Sequence, residues 1–411
     1  MERVALPQLD LASSEYRANP FPFYAQMREH EPVYHATGLK ISPSVWMISR
    51  YDDVLAAFKD DARFVKDPNN ARPGNKALKS PLMPSSVEAL GRNMLYVDDP
   101  DHARLRNLVH KVFTPKLIEA MRAQVRDRTH ELLDKAQNSR RQFDLLHEFA
   151  MPLPVMVISQ MLGIPDKDQP RFQRWSTNTL KITGSRRPLT MMQAVPSILM
   201  FMRYLRQLFR ERRENPQDDL VTALVQVEEE GDRMSEDELV AMVFLLLIAG
   251  HETTMNLLAT GTLNLLQFPD QMERLRREPE IAKSAVEELL RYASPVDQAT
   301  HRFASEDIDM YDVTIPQGEM VLLMIGSANR DEQHFVNPDQ LDLTRNPNRH
   351  LAFGMGVHYC LGAPLARLEA QVAFPILLER LPDLRLAVPE DQLEWRNSIL
   401  VRGMEAMPVA Y

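Results

Sequence analysis

Near the middle of the chain, Ala249-Gly250-His251-Glu252-Thr253-Thr254-Met255 follows an apolar run from Leu239 to Gly250. His251 and Glu252 begin the H-E-x-x-H pattern, in which two histidines one helical turn apart bind zinc. The fifth position is Met255, so the second ligand is missing. What remains is an acid beside an alcohol, Glu252-Thr253. Taken alone, a threonine that caps or bonds back to its own helix is the plainer reading. The sole cysteine, Cys360, offers a second chemistry. It follows the loop Phe353-Gly354-Met355-Gly356 and precedes a helix with Pro364 in its first turn, where proline is favoured. A thiol there faces unpaired N–H groups and the positive end of the helix dipole, and both favour thiolate. Gly354, Gly356 and Gly362 would let backbone approach something large and flat. A buried inert cysteine is the competing reading. A zinc site of His350, His358 and Cys360 lacks a fourth ligand.

Two further spacings carry charge. In Asp98-Asp99-Pro100-Asp101-His102-Ala103-Arg104-Leu105-Arg106, Asp98 or Asp99 would cap a helix that Pro100 starts. His102 and Arg106 then stand at i and i+4, and two cations on one face repel slightly unless an anion lies between them. A solvated basic face is the plainer reading. Glu288 and Arg291 are spaced i, i+3, while Glu287 and Arg291 are spaced i, i+4. Spacing alone does not choose between these pairs.

The elements that must position these groups are mostly helical. Ser235, with Glu238 three residues on, opens a capping box for a helix of some thirty residues that contains the acid–alcohol pair. Amphipathic patterns predict helices around residues 117–136, 199–214 and 277–293, the last ended by Pro295. Strands are short: Val45 to Ser49, leading to a helix that Asp52 would cap, then Met320 to Ile325, and a C-terminal pair around residues 383–388 and 398–404. The expected class is mainly α with a minor β portion, as one domain spanning residues 1–411. The chain has 411 residues and a net charge of -9, an acidic balance that argues against nucleic acid as partner. The first residues show no apolar leader, and the twelve-residue run at 239–250 is short of a membrane span, so no membrane anchor is expected. One cysteine excludes an intrachain disulfide and suits a reducing cytoplasm.

Phe353-Gly354-x-Gly356-x-His358-x-Cys360-x-Gly362 resembles the haem-binding loop of bacterial cytochrome P-450 monooxygenases. Its companions stand in the family's order: residues 249–254, the E-x-x-R of Glu288 and Arg291, residues 98–106, and residues 328–345 before the loop. The resemblance implies the triangular-prism fold with a long helix over haem b, and Cys360 as thiolate ligand of its iron. It implies His102, Arg106, Arg302 and His358 as contacts to the haem propionates, anions that Arg suits. Phe353, Gly354 and Gly362 would shape the loop, and Ala249 would leave room for dioxygen, the co-substrate. Thiolate electron density favours O–O cleavage, with Thr253 steadying the oxygen and Glu252 linking it to solvent. Glu288 and Arg291, with Arg345, would form a buried structural network.

The apolar substrate would meet Met94, Leu95, Leu245, Ile248, Val296 and Ile399, under a lid around residues 183–195, and methionines such as Met83, Met191 and Met192 suggest an adaptable pocket. Polyketide-like or steroid-sized molecules rank first, with terpenes and fatty acids also in range. No flavin or iron–sulfur motif is present, so electrons would come from a ferredoxin or flavodoxin with its NAD(P)H reductase, docking on Arg104, Lys111, Arg349 and Arg367. A peroxide-driven peroxygenase is one alternative, and a non-enzymatic haem sensor or carrier is another.

Overall fold

A computed structural model describes residues 13–37, 44–72, 89–137, 141–169, 188–227, 231–396 and 401–411, with a few single positions between them. It is 57% helical, and its strands are two to five residues long, so the chain is mainly α with a minor β portion. The helix Glu236–Gln267 runs through the main core. Ser235 caps it with a complete capping box, its hydroxyl accepting from Glu238 N while the Glu238 carboxylate reaches back. By length and composition this helix is long and apolar enough to cross a bilayer, yet most of it is buried in protein. Helices Pro152–Met161, Ala282–Ala293 and Ala363–Arg380 pack against it. Their apolar faces, with those of Asp101–Val112 and Arg122–Gln137, form one continuous core.

A five-stranded sheet stands beside this helical body, in the order Val33–Thr37, Ser44–Ile48, Met320–Leu323, Arg302–Ala304, Phe64–Val65. Its register brings Arg302 opposite Val321 and Phe303 opposite Met320. On its other edge the strand Arg302–Ala304 pairs Ala304 with Phe64 and Phe303 with Val65, which brings the next residue, Lys66, near the buried Arg302.

Several local expectations are corrected. The helix Tyr51–Lys59 begins at Arg50 without a side-chain cap, and Asp52 lies inside its first turn. Favourable interaction with the dipole still accounts for an acid there. The helix with His102 starts at Asp101, after a cis Asp99–Pro100 bond. Asp99 accepts from Ala103 N, whereas Asp98 binds the amides of Lys66 and Asp67 instead of a helix end. The pattern over 117–136 splits into Pro115–Ala120 and Arg122–Gln137. At the C-terminus, Arg385–Leu386 pairs with Pro408–Ala410, and the described residues of 398–404 make only isolated bridges, Val401 to Val296 and Met404 to Trp395.

Candidate functional site

Cys360 closes a loop held by protein alone. Gly354 and Gly356 have φ of 67° and 73°, backbone that glycine adopts at no steric cost. A Cβ at Gly356 would lie 2.3 Å from the carbonyl oxygen of Phe58. These glycines therefore admit the helix Tyr51–Lys59. A Cβ at Gly362 would make only ordinary contact with Cys360 Sγ, 4.0 Å away. The Cys360 amide donates to Phe353 O at 2.9 Å, and the Phe353 ring lies under Arg367, 4.4 Å from its guanidinium.

The Cys360 side chain is accessible although protein crowds it on every side, as for a group that faces an internal space. Crowding raises its pKa. The amides of Gly362 and Ala363, then Arg106 and Arg367, pull it back without reversing the shift. The helix terminus favours thiolate as expected, but burial outweighs it. Ala249 is likewise exposed within the otherwise buried central helix, with Ile248 and Gly250 partly so.

Cations converge beside this space. His102 is buried, its ring lies 4.1 Å from that of His358 at a tilt of 48°, and its Nε2 has no partner. Arg302 is buried over the Phe58 ring, and Arg106 donates to Tyr359 O. Burial, then Lys66, His102, Arg302 and Arg106, drive the His358 pKa down to about 2. Burial, Lys66 and Arg302 hold His301 at about 4. Lys66 escaped the sequence reading. It is 2% exposed, and its ammonium donates to Thr300 Oγ1 (2.6 Å), Thr300 O (3.0 Å) and His301 O (3.4 Å). Burial and Arg302 depress its pKa, and Asp98 opposes them only weakly. No motif marks Lys66; only the sheet register brings it here. So many basic side chains, the histidines among them held neutral by burial and by their cationic neighbours, with only Asp98 and Asp99 as nearby acids among the described residues, fit a ligand carrying carboxylates. With an accessible thiol beside them, the donor set fits haem.

The E-x-x-R residues choose their partners by tertiary contact. Arg291 and Glu288 are both fully buried and joined twice at 2.8 Å. Arg345 Nε, Asn348 Nδ2 and Asp342 N also donate to Glu288. Glu287 turns the other way, to Arg367 (2.7 and 2.8 Å) and His350 (3.1 Å).

On the central helix, Thr253 Oγ1 donates to Ala249 O at 2.7 Å, the back-bonding that sequence left open. Its lone pairs remain available as acceptors. Glu252 lies 3.7 Å from Arg396. Burial raises its pKa and Arg396 lowers it. Of the expected substrate wall, Met94 and Leu245 belong to the main core with Leu95 packed on it, and Val296 packs on the sheet-side core. Ile399, Met83 and residues 183–187 lie outside the described residues, as do the side chains of residues 188–194. The expected basic patch is reduced. Arg104 pairs with Asp232 and Glu238, and Arg367 with Glu287.

A family model described as Cytochrome P450 matches residues 26–400. "Polyketide biosynthesis cytochrome P450 PksS" of Bacillus subtilis (strain 168) is 42% identical over 398 residues, 96% of each chain. Its solved structure superposes with a TM-score of 0.89 at 41% identity, covering 98% of this chain and 99% of that one. The structure of P450BioI in complex with an acyl carrier protein ligated to hexadec-9Z-enoic acid gives 0.87 at 38% identity, covering 97% and 100%.

Proposed function

Since the chain belongs to the cytochrome P450 family, and is a monooxygenase using haem b and dioxygen, we propose that it oxygenates an apolar small molecule of polyketide or steroid size, acting as one catalytic unit in the cytoplasm. The observation that carries the site assignment is the cluster of Lys66, His102, Arg106, Arg302 and His358 beside the accessible Cys360. Cys360 is the thiolate ligand, and the cluster binds the propionates. Phe353 and Gly354 shape the ligand loop, with Gly362 at the start of the following helix. When bound, the haem supplies dioxygen activation, and thiolate ligation favours O–O cleavage.

The chain's own residues do the rest. Met94, Leu95, Leu245, Ile248 and Val296, with Ile399, form an apolar wall that orients the substrate and excludes water. Ala249 leaves open space in the central helix. Thr253 accepts a hydrogen bond at the reacting oxygen while its own proton is held by Ala249 O. Glu252 supplies protons. This pair supports oxygen-driven turnover with electrons from a ferredoxin or flavodoxin and its NAD(P)H reductase, in preference to peroxide-driven turnover or haem carriage. The test is the reduced CO complex, whose Soret band should be red-shifted by thiolate. Cys360→Ala should abolish it, since the chain has no other cysteine. A normal band in that variant overturns the ligand assignment.

A second reading concerns how substrate arrives. Helix Pro188–Glu214 exposes Arg203, Arg210 and Arg213 together with Leu199 and Met200. The P450BioI structure contains an acyl carrier protein, and such a basic and apolar face suits an acidic carrier that presents a tethered acyl chain. Turnover of a free acid at the same kcat/KM as its carrier-linked form would count against it.

A further inference from the structure

Buried polar atoms without protein partners also gather away from the cation cluster. On the central helix Asn256 is fully buried, and neither its amide oxygen nor its nitrogen is bonded. His251 Nδ1, on the same helix, is likewise unpaired. Against Asn256 sits Gly403, so close that a Cβ there would lie 2.2 Å from Asn256 Oδ1. Gly403 O accepts from Arg396 N at 2.9 Å, and the Arg396 side chain reaches Glu252. Arg396 and Gly403 both line a cavity of about 20 Å³, together with Tyr16, Asp297, Ser398 and Arg402. Asp297 Oδ1 is buried there and unpaired, its other oxygen accepting from Tyr24.

Such a cavity takes one water, which needs about 10–15 Å³ and two or more polar partners. Buried polar groups are paired in roughly nine cases of ten. Asp297 Oδ1 unpaired on the cavity wall, and both amide atoms of Asn256 unpaired against Gly403 of that wall, with Arg396 reaching Glu252, therefore mark a hydrated track. Sequence gives no sign of it, because Arg396 and Glu252 lie far apart along the chain.

We propose that ordered water runs from this cavity past Arg396 and Gly403 to Glu252, and that Arg396 is the positioning residue holding Glu252 at the inner end. Protons then enter from the side of the C-terminal loop. Inserting one oxygen atom and reducing the other to water consumes two electrons and two protons. For each proton, Glu252 in its acid form gives its proton inward toward Thr253. It regains one from the adjacent water, which solvent replenishes. The ion pair fixes the carboxyl group between the track and Thr253. This inference rests on Glu252 as proton donor.

The test compares Glu252→Gln, Arg396→Gln, their combination and Arg396→Lys in the haem-loaded enzyme, reading turnover and the solvent isotope effect. A positioned proton donor supplies about a hundredfold or more, so Glu252→Gln should lower turnover to that extent. Arg396→Gln should lower it about tenfold with a larger isotope effect, Arg396→Lys should recover most of the loss, and the double variant should match Glu252→Gln alone, as coupled residues do. Wild-type turnover in Glu252→Gln overturns the donor reading beneath the inference. A slow Glu252→Gln with an unaffected Arg396→Gln, or losses that multiply in the double variant, overturns the role of Arg396 only. A high-resolution crystal structure should show water bonded to Asn256 and in the cavity, and a dry track overturns the route.

Discussion

Replacing Lys66 by methionine separates binding a carboxylate from supporting the fold. The two side chains are similar in length, so packing changes little. Lys66 is buried beside Arg302, which with burial lowers its pKa, and its ammonium donates to Thr300 and His301. Exchanging a buried ion for an apolar side chain is often neutral or stabilising, by roughly 1–4 kcal/mol. Leaving acceptors unpaired costs about 1–3 kcal/mol. These cancel, so the stability of the haem-free variant should stay within about 1 kcal/mol of wild type. The loaded protein should respond differently, because a hydrogen bond between charged groups contributes about 1.5–3 kcal/mol. Taking about 2 kcal/mol, haem affinity falls about 30-fold, at 1.4 kcal/mol per decade. Haem transfer to a scavenger protein, followed by absorbance, measures the affinity, and denaturant unfolding of the haem-free form measures the fold. Unchanged haem retention refutes the assignment. An equal stability loss in both forms would make Lys66 a structural residue only.

Other outcomes follow from the same geometry. Thr253→Ala should keep consuming NAD(P)H while product falls and hydrogen peroxide rises to match; an unchanged product yield per NAD(P)H with a well-coupled substrate would sink the role of Thr253. Glu288→Gln leaves Arg291 buried beside a neutral partner, and loss of a buried partner costs about 3–5 kcal/mol, measurable as a lower denaturant midpoint at unchanged slope. Glu287 has a pKa of about 2, because hydrogen bonds from Arg367 and His350 outweigh burial. A carboxylate depressed from its usual 4.5 adds stability above that value and loses it as pH falls toward 2. Glu287→Gln should flatten this acid arm of a stability–pH curve, and an unchanged arm would show that the pair is solvated.

Legibility in the sequence followed the range of the forces involved. The central helix was readable because its capping box and apolar run are local, and Ser235 caps it as written. The loop around Cys360 was readable because its residues are contiguous. Choices between equivalent neighbours were not. Glu287 and Glu288 both suit Arg291 by spacing, and only carbonyls from Asn329, Pro338 and Gln340, reaching Arg291 from another segment, fix which pair forms. Asp98 looked like a helix cap, yet the amides of Lys66 and Asp67, thirty-odd residues earlier, claim it. The pairing of Pro408–Ala410 with Arg385–Leu386 was missed because strands of two or three residues carry no period to read. Lys66 and Arg396 share a single cause. Each is an ordinary basic residue whose meaning lies wholly in what a distant segment brings beside it.

The opposed glutamates of helix Ala282–Ala293 have a thermodynamic consequence. Glu288 anchors the stretch before the cysteine loop, and Glu287 anchors Arg367, which also donates to the hydroxyl of Tyr359, the residue before Cys360. The ligand loop is thus gripped from both ends by contacts that involve no cofactor. Loss of either anchor should therefore loosen one end of the loop while the other end stays held.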